Sequence, residues 1–173
     1  MKLTSLALGA MAAIAGTFAG DVSAATVTRD HLTHGPANCQ AALPVFDGNI
    51  RKRPMGIGNE GSGSAFITCG IDDISNSGPG FTTIAVYLRN RAAAANVTVN
   101  CTLANGIFAN PQLLPKTSTP IAAGSVAAIA WTAAGDNEDT PFGAPGLSCN
   151  LPPGIDISAV QTIRQEEIGA LEP

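Results

Sequence analysis

The stretch NVTVNCTL, residues 96–103, alternates polar and apolar side chains with a period of two. Successive side chains of a β-strand point to opposite faces, so Val97, Val99, Cys101 and Leu103 share one face. The stretch therefore predicts a half-buried antiparallel strand whose Cys101 side chain points into the core.

The same alternation recurs elsewhere in the chain. Segments 64–71, 82–89, 125–132 and 147–151 each place apolar residues on one face, and Trp131 falls among these inward positions. Turn signals separate the segments, at Asp47-Gly48, 77–80, Asn105-Gly106 and Ala123-Gly124. Seven or eight strands at this spacing predict an all-β fold, a single antiparallel β-sandwich of jelly-roll or immunoglobulin-like type.

The C-terminal segment can be interpreted in two ways. Ser158 with Gln161 resembles a helix capping box, which favours a helix. A sandwich is commonly closed by a last strand, and we therefore expect a strand over residues 158–168.

The N-terminus predicts export. A positive start at Met1-Lys2, an apolar run over 3–20 and small residues at Val22-Ser23-Ala24 are typical of a signal peptide, so residues 1–24 are expected to be cleaved. The general secretory route would then place the protein in the periplasm or outside the cell. Residues 25–173 would form one domain without a membrane span, and we expect residues 25–38 to be flexible.

Charge excludes one class of partner. Loss of residues 1–24 removes Lys2 and Asp21, so eight basic and twelve acidic residues remain and the net charge stays at −4. Non-specific nucleic-acid binding depends on a basic surface, so we expect no nucleic-acid partner.

The cysteines predict two disulfides. Cys39, Cys69, Cys101 and Cys149 are an even number in a chain expected to be exported. Three pairings are possible, and we prefer Cys39–Cys69 with Cys101–Cys149 because each pair joins segments that are close in order.

The stretch RPMGIGNEGSG, residues 53–63, matches the G-x-G-x-x-G pattern of dinucleotide-binding loops. That loop requires a strand before it and a helix after it. Here Pro54 interrupts the approach and a predicted strand follows. We expect no nucleotide and no other cofactor, and we interpret Gly56, Gly58 and Gly61 as a flexible loop with positive φ angles or a bulge.

Two groups of residues are candidate ligand sites. Arg51, Lys52 and Arg53 could bind an anion, or they could form a charged edge that opposes aggregation. An outward face with Thr83, Tyr87 and Arg89, which we expect beside the Asn/Thr face of strand 96–103, is the candidate glycan face, because an aromatic ring can stack on a sugar.

Candidate metal ligands have simpler interpretations. His31, His34 and Cys39 resemble a metal set, but an exported cysteine is expected to be oxidised. Oxygen ligands for calcium occur at Asp72-Asp73 and in the loop with Asp136, Glu138 and Asp139, without the spacing of a calcium-binding loop. Polar turns explain both, and we expect no metal.

Catalysis has little support. There is no G-x-S-x-G motif, and both histidines lie near the N-terminus. A carboxylate pair for glycoside cleavage leaves no fixed spacing, and its candidate members are Glu60, Asp72, Asp73, Glu166 and Glu167.

Segments 38–44, 50–54, 59–61, 66–69 and 148–154 resemble small exported bacterial proteins of unassigned function. The resemblance implies a disulfide-bearing sandwich and lends no activity. We therefore expect an exported, non-enzymatic protein with a binding or structural role in the cell envelope or extracellular space. The alternatives are a carbohydrate-binding module or polysaccharide hydrolase, and a surface protein that binds an anion through Arg51–Arg53. Its partner would be an acidic glycan or another envelope protein.

Overall fold

A computed structural model of the chain describes residues 25–71, 80–92, 95–106 and 111–169. Residues 1–24, which are expected to form a signal peptide, and the candidates Asp72 and Asp73 lie outside these ranges. The described part of the chain forms eleven strands, two single-turn helices and a 3-10 turn at Pro44–Phe46. The strands are β1 Thr26–His34, β2 Cys39–Ala41, β3 Ile50–Arg53, β4 Gly56–Asn59, β5 Ala65–Gly70, β6 Phe81–Asn90, β7 Asn100–Asn105, β8 Gln112–Thr117, β9 Val126–Thr132, β10 Gly146–Leu151 and β11 Ile155–Glu167, and the helices are α1 Gly35–Asn38 and α2 Ala133–Asp136.

The strands form two antiparallel sheets. Sheet A has the order β3-β4-β11-β6-β9, with β1 also paired to β11, and sheet B has the order β2-β5-β10-β7-β8. One face of each sheet is packed with apolar side chains that form a common core. This confirms the predicted all-β sandwich with two disulfides.

Alternation along the strands explains the core. Cys101 and Leu103 of β7 are buried, whereas Asn100 is exposed to solvent. Trp131 of β9 is fully buried, and its indole N–H donates to the carbonyl of Leu114 at 2.8 Å. The inward positions predicted for β5, β6, β9 and β10 are thus confirmed, although β7 begins at Asn100 rather than at residue 96.

Both preferred disulfides are present, Cys39–Cys69 and Cys101–Cys149. Each joins residues directly opposite each other on neighbouring strands of sheet B, with Cα atoms 3.9 Å and 4.0 Å apart. The bonds therefore fix the pairing of β2 with β5 and of β7 with β10. Disulfides persist in oxidising compartments, which places the protein outside a reducing cytosol.

The two ends of the domain lie side by side. Residues 158–168 were expected to form a strand, and β11 confirms this through Glu167. We expected residues 25–38 to be flexible, but Thr26–His34 instead pairs with β11 over nine residues. Its side chains are mostly exposed, so the strand is held by backbone hydrogen bonds and leaves no apolar alternation in the sequence.

The described ranges hold eleven strands rather than the expected seven or eight, because several strands are short or polar. β2, β3 and β4 have only three or four residues each, too few to show a period. The interpretation of Gly56 and Gly58 as a flexible loop is wrong, because both lie in β4, are buried and have no positive φ.

Candidate functional site

The face of sheet A that is turned away from sheet B carries the candidate site. Core residues Val86 and Leu88 point inward from β6, so Tyr87 between them points outward. On β11, Val160 and Thr162 are buried, and Gln161 between them lies on the same outer face as Tyr87.

A cavity of about 520 Å³ opens on this face. We call it the outer cavity, and its lining residues come from β1, β6, β9 and β11: Asp30, Leu32, Tyr87, Val126, Ser158, Ala159 and Gln161. Its volume falls within the range of small-molecule sites, about 300–1,000 Å³. Ala159 is small and lies opposite Tyr87, which leaves room for the outer cavity.

A row of hydrogen bonds crosses the outer cavity. The Tyr87 hydroxyl donates to Gln161 Oε1 at 2.6 Å, and Gln161 Nε2 donates to both carboxylate oxygens of Asp30 at 2.9 Å. Ser158 Oγ donates to the Tyr87 carbonyl at 3.1 Å, which holds β6 and β11 together beside a register shift in β11. The three side chains Asp30, Gln161 and Tyr87 therefore keep a defined geometry before any ligand arrives.

This row retains hydrogen-bonding capacity. An amide has two N–H donors, a carboxylate accepts about four bonds and a phenol oxygen accepts as well as donates. The bonds above leave one N–H of Gln161, lone pairs of Asp30 and the acceptor capacity of Tyr87. These groups match a ligand that carries several hydroxyls close together.

Apolar side chains flank the polar row. Leu32 and Val126 are 58% and 57% exposed. They border the row from β1 and β9, at opposite ends of the cavity. The outer cavity thus combines fixed polar groups with apolar walls, as small-ligand sites do.

The structure divides the predicted glycan face. Tyr87 lines the outer cavity, whereas Thr83 lies opposite Ile163 and Thr132, further along the sheet. The Arg89 guanidinium is bound to Asp156. The Asn/Thr face of strand 96–103 was expected beside Tyr87, but it belongs to sheet B, since β7 pairs with β10 and β8.

Asp156 organises an ion-pair cluster at one end of this face. Its side chain is only 3% exposed and contacts Arg89 Nη2 at 2.8 Å and Arg91 Nε at 2.7 Å. Glu60 extends the cluster, with Arg53 at 2.6 Å and Arg91 at 3.7 Å. Because these guanidinium groups are neutralised by carboxylates, the cluster connects β3, β4, β6 and β11 rather than offering free positive charge.

The glycines of the G-x-G-x-x-G pattern leave space for this ion-pair cluster. Asp156 lies opposite Gly58, and a Cβ atom there would overlap its carboxylate and come within 2.9 Å of the Ile155 carbonyl. A Cβ atom at Gly56 would come within 2.9 Å of the Ile157 carbonyl. Glycine is therefore required for close approach, and the strand that follows, β5, leaves no helix N-terminus to bind phosphates.

The basic run lies on an edge strand. Arg51, Lys52 and Arg53 form most of β3, the last strand of sheet A. The Arg51 guanidinium donates to the carbonyls of Asp47 and Ile50, and Arg53 pairs with Glu60. Charged residues on an edge oppose pairing with another chain, so this placement favours the edge interpretation.

The calcium candidates belong to a turn. Asp136 ends α2, where its carboxylate contacts Lys116 Nζ at 2.7 Å and accepts from the Thr132 amide at 2.8 Å. Partial burial raises the pKa of Asp136, but the hydrogen bonds from Lys116 and Thr132 outweigh this effect and hold the pKa below its ordinary value. Glu138 and Asp139 have positive φ angles of 50° and 61°, typical of a tight turn.

Within the described ranges, no group of three histidine, cysteine, aspartate or glutamate side chains is placed to hold a metal ion. Cys39 is oxidised in a disulfide, so it offers no thiolate beside His31 and His34.

Candidate catalytic carboxylates are separated from the outer cavity. Glu60 belongs to the Asp156 cluster, and Glu166 pairs with Arg29 at 2.7 Å. Among the described lining residues of the cavity, Asp30 is the sole carboxylate. Glycoside cleavage needs two carboxyl groups about 5–10 Å apart across the bond, a pair that these residues do not supply.

Sequence reasoning missed Asp30, Leu32 and Gln161. Gln161 lies in a strand that was predicted, so its outward direction could have been inferred from the inward Val160. Asp30 is 131 positions away from Gln161, and only the pairing of β1 with β11 brings the two together.

No protein-family model and no curated protein matches the chain. Among solved structures, the chain is similar to a carbohydrate-binding module, TmCBM61, in complex with beta-1,4-galactotriose. The two share 5% sequence identity, the match covers 80% of this chain and 88% of that chain, and the TM-score is 0.32. A likeness this distant carries no argument about the site.

None of the helices in the described ranges has the length and apolar character needed to cross a membrane.

Proposed function

We propose that the protein is an exported, non-enzymatic binding module that takes a neutral saccharide in the outer cavity of sheet A. The observation that carries this proposal is the fixed row Tyr87–Gln161–Asp30 between the exposed apolar residues Leu32 and Val126. Export rests on residues 1–24 and on the two disulfides, which fit an oxidising compartment.

A saccharide fits this row chemically. Each sugar hydroxyl both donates and accepts, so neighbouring hydroxyls can bond to a carboxylate and an amide N–H at once. The C–H face of the ring is apolar and can contact Leu32, Val126 and the exposed part of the Tyr87 ring. Because the row is held by its own hydrogen bonds, little side-chain entropy remains to be lost on binding.

Charge favours a neutral saccharide over the acidic glycan considered from the sequence. Asp30 is the one acidic residue among the described lining residues of the outer cavity, and a carboxylate there opposes an anionic ligand. Arg89 lies close by, but its guanidinium is already paired with Asp156. The local charge is therefore negative.

A glycan array tests the proposal. We expect the wild type to bind neutral oligosaccharides, and Gln161→Ala to weaken binding about 10- to 100-fold, since it removes bonds to ligand and to Asp30. Tyr87→Phe keeps the ring but loses the hydroxyl, so its binding should fall by a smaller factor. Phe66→Ala is the matched control, because Phe66 is 46% exposed on β5 of sheet B.

Circular dichroism of each variant separates loss of binding from loss of the fold. A preference for acidic glycans, or a neutral hit that Phe66→Ala abolishes and Gln161→Ala does not, would overturn the proposal. Absence of any glycan binding with self-association on a sizing column would instead favour a structural role in the envelope.

A further inference from the structure

One edge of sheet A is long and carries no charge. β9 pairs with β6 on one side, and its other side, which we call the free edge, has no partner strand in the described part of the chain. The strand runs from Val126 to Thr132 and contains neither a charged residue nor a proline. An exposed edge of this length offers backbone hydrogen-bonding groups to another chain.

The other edge strands are protected. β3 consists mostly of Arg51–Arg53, β1 carries the polar run 29–31, β2 has only three residues, and β8 contains Pro115 and Lys116. Charge, shortness and proline are the features by which proteins prevent pairing between sheet edges. Within the described ranges, β9 is the edge strand that has none of these features.

The hydrogen bonds beside β9 show which backbone groups point to the free edge. The Asn90 amide at the end of β6 donates to the carbonyl of Ser125, so odd-numbered residues in this part of the chain face β6. Successive residues of an antiparallel strand direct their N–H and C=O groups to alternate sides. Val126, Ala128 and Ala130 therefore direct theirs to the free edge.

An ion pair closes one end of the free edge. Lys116 Nζ donates to the Ala130 carbonyl at 2.7 Å, and the Thr132 amide donates to the Asp136 carboxylate at 2.8 Å. Lys116 and Asp136 also contact each other at 2.7 Å, so together they occupy the place of a neighbouring strand. The closure begins at Ala130, and the edge before it is left open.

We infer that β9 pairs antiparallel with β9 of a second copy of this chain, across a two-fold axis at Ala128. Within the described ranges, the backbone groups of Val126 and Ala128 that point to the free edge meet no donor or acceptor. At the axis, the two Ala128 residues exchange both of their N–H···O bonds. On either side of the axis, the amide of Ala130 donates to the Val126 carbonyl, which leaves the bond from Lys116 intact.

Symmetry and charge favour a second copy as the partner. A two-fold contact requires a surface that is complementary to itself, and an antiparallel strand edge is such a surface because every donor meets an acceptor. Two chains of net charge −4 repel each other, but β9 brings no charged side chain of its own to the contact. Ala128 and Ala130 are small and exposed, so the approaching strand meets no large side chain.

The pairing joins two copies of sheet A into one continuous sheet. The two-fold axis is perpendicular to this sheet, so both outer cavities open on the same side, and Val126 belongs to the contact as well as to the cavity wall. A contact of one short strand pair is smaller than a standard interface of about 1,600 Å², so we expect a weak dimer with a Kd of about 0.1 mM. Self-association is measured without a glycan, so its outcome is independent of the proposed saccharide site.

Sedimentation equilibrium at protein concentrations up to about 1 mM tests the inference. Ala128→Lys places two ammonium groups opposite each other at the axis and should raise the dimer Kd about tenfold or more, and Ala128→Glu should do the same. An equimolar mixture of these two variants should regain the wild-type affinity within about threefold, because opposite charges then meet at the axis. Ala128 is exposed, so both variants should fold.

Two further variants complete the test. Thr68→Lys is the matched control, since it adds the same charge at an exposed position of β5 in sheet B, and its dimer Kd should stay within about twofold of the wild type. Ala128→Pro removes the N–H that points to the second copy without removing a bond to β6, and it should abolish the dimer.

A wild type that stays monomeric at about 1 mM would overturn the inference and would indicate a different chain as the partner of this edge. A dimer that Ala128→Lys leaves intact, or an equal loss with Thr68→Lys, would also overturn it. If the mixture of Ala128→Lys and Ala128→Glu stayed monomeric, the two strands would not meet at Ala128 and the inference would be wrong.

Discussion

Replacing Gly58 by alanine would place a methyl group where the Asp156 carboxylate now lies. The carboxylate would have to leave its position, and with it the contacts to Arg89 at 2.8 Å and Arg91 at 2.7 Å. Asp156 is 3% exposed and its partners Arg89 and Arg91 are 27% and 30% exposed, so its ion pairs are partly shielded from water. Disrupting a buried pair costs about 3–5 kcal/mol.

Alanine also reduces the conformational entropy of the unfolded chain, which contributes about 0.4–1 kcal/mol in the opposite direction. We therefore expect Gly58→Ala to lower the free energy of unfolding by about 3 kcal/mol, and the melting temperature by about 10 °C. Urea denaturation and a thermal scan would measure the two quantities.

Two further variants make the test specific. Gly63→Ala is the control, because a Cβ atom there would meet nothing within 4 Å, and it should change stability by less than about 1 kcal/mol. In an Asp156→Ala background the overlap with the carboxylate is gone and only the approach to the Ile155 carbonyl remains, so Gly58→Ala should cost about 2 kcal/mol less than in the wild type. A Gly58→Ala protein as stable as the wild type, or additive losses in the double variant, would refute the close-approach explanation.

Three other predictions concern stability and dynamics. Replacing Cys101 and Cys149 by serine should lower the free energy of unfolding by about 4 kcal/mol, because the bond closes a loop of 48 residues; a loss below about 1 kcal/mol in urea would contradict this. Because folding lowers the pKa of Asp136, the stabilisation that its carboxylate provides should disappear as the pH falls below about 4. The Asp136→Asn variant should therefore lose less stability than the wild type in denaturation curves from pH 6 down to pH 2. An identical loss in the two proteins would contradict this prediction. Thr26–His34 contributes no residue to the buried core, so its amides should exchange with deuterium at least about tenfold faster than those of Phe81–Asn90, and equal protection would argue against this.

Much of the fold could be predicted because burial in a sandwich has a local signature. β5, β6, β9 and β10 each alternate over six or more residues, long enough for the period to appear. The disulfide preference was correct for a related reason, since each pair of cysteines occupies inward positions on strands that are neighbours in sheet B.

Strand pairing between distant segments could not be predicted. β1 is polar, and its place in sheet A is set by backbone bonds to β11 and by side-chain pairs such as Arg29–Glu166. The proposed saccharide site depends on that pairing, because the outer cavity combines β1 with β11. Tyr87 and the outward direction of Gln161 could be inferred from the sequence, but the pairing of β1 with β11 that brings Asp30 beside them could not.

Glycine was ambiguous for a physical reason. The same residue supplies positive φ angles in turns and space for a close neighbour in strands. Gly106 and Gly124 follow the first use, with φ angles of 99° and 75°. Gly58 follows the second, which becomes visible only when Asp156 is placed opposite it.

Mapping of a bound neutral oligosaccharide by backbone-amide NMR shifts tests the central claim most directly. We predict the largest shifts at Asp30, Leu32, Tyr87 and Gln161, with little change on sheet B around Phe66. A saturable response confined to the sheet B face, or no response to any neutral oligosaccharide, would contradict the assignment of the outer cavity as the binding site.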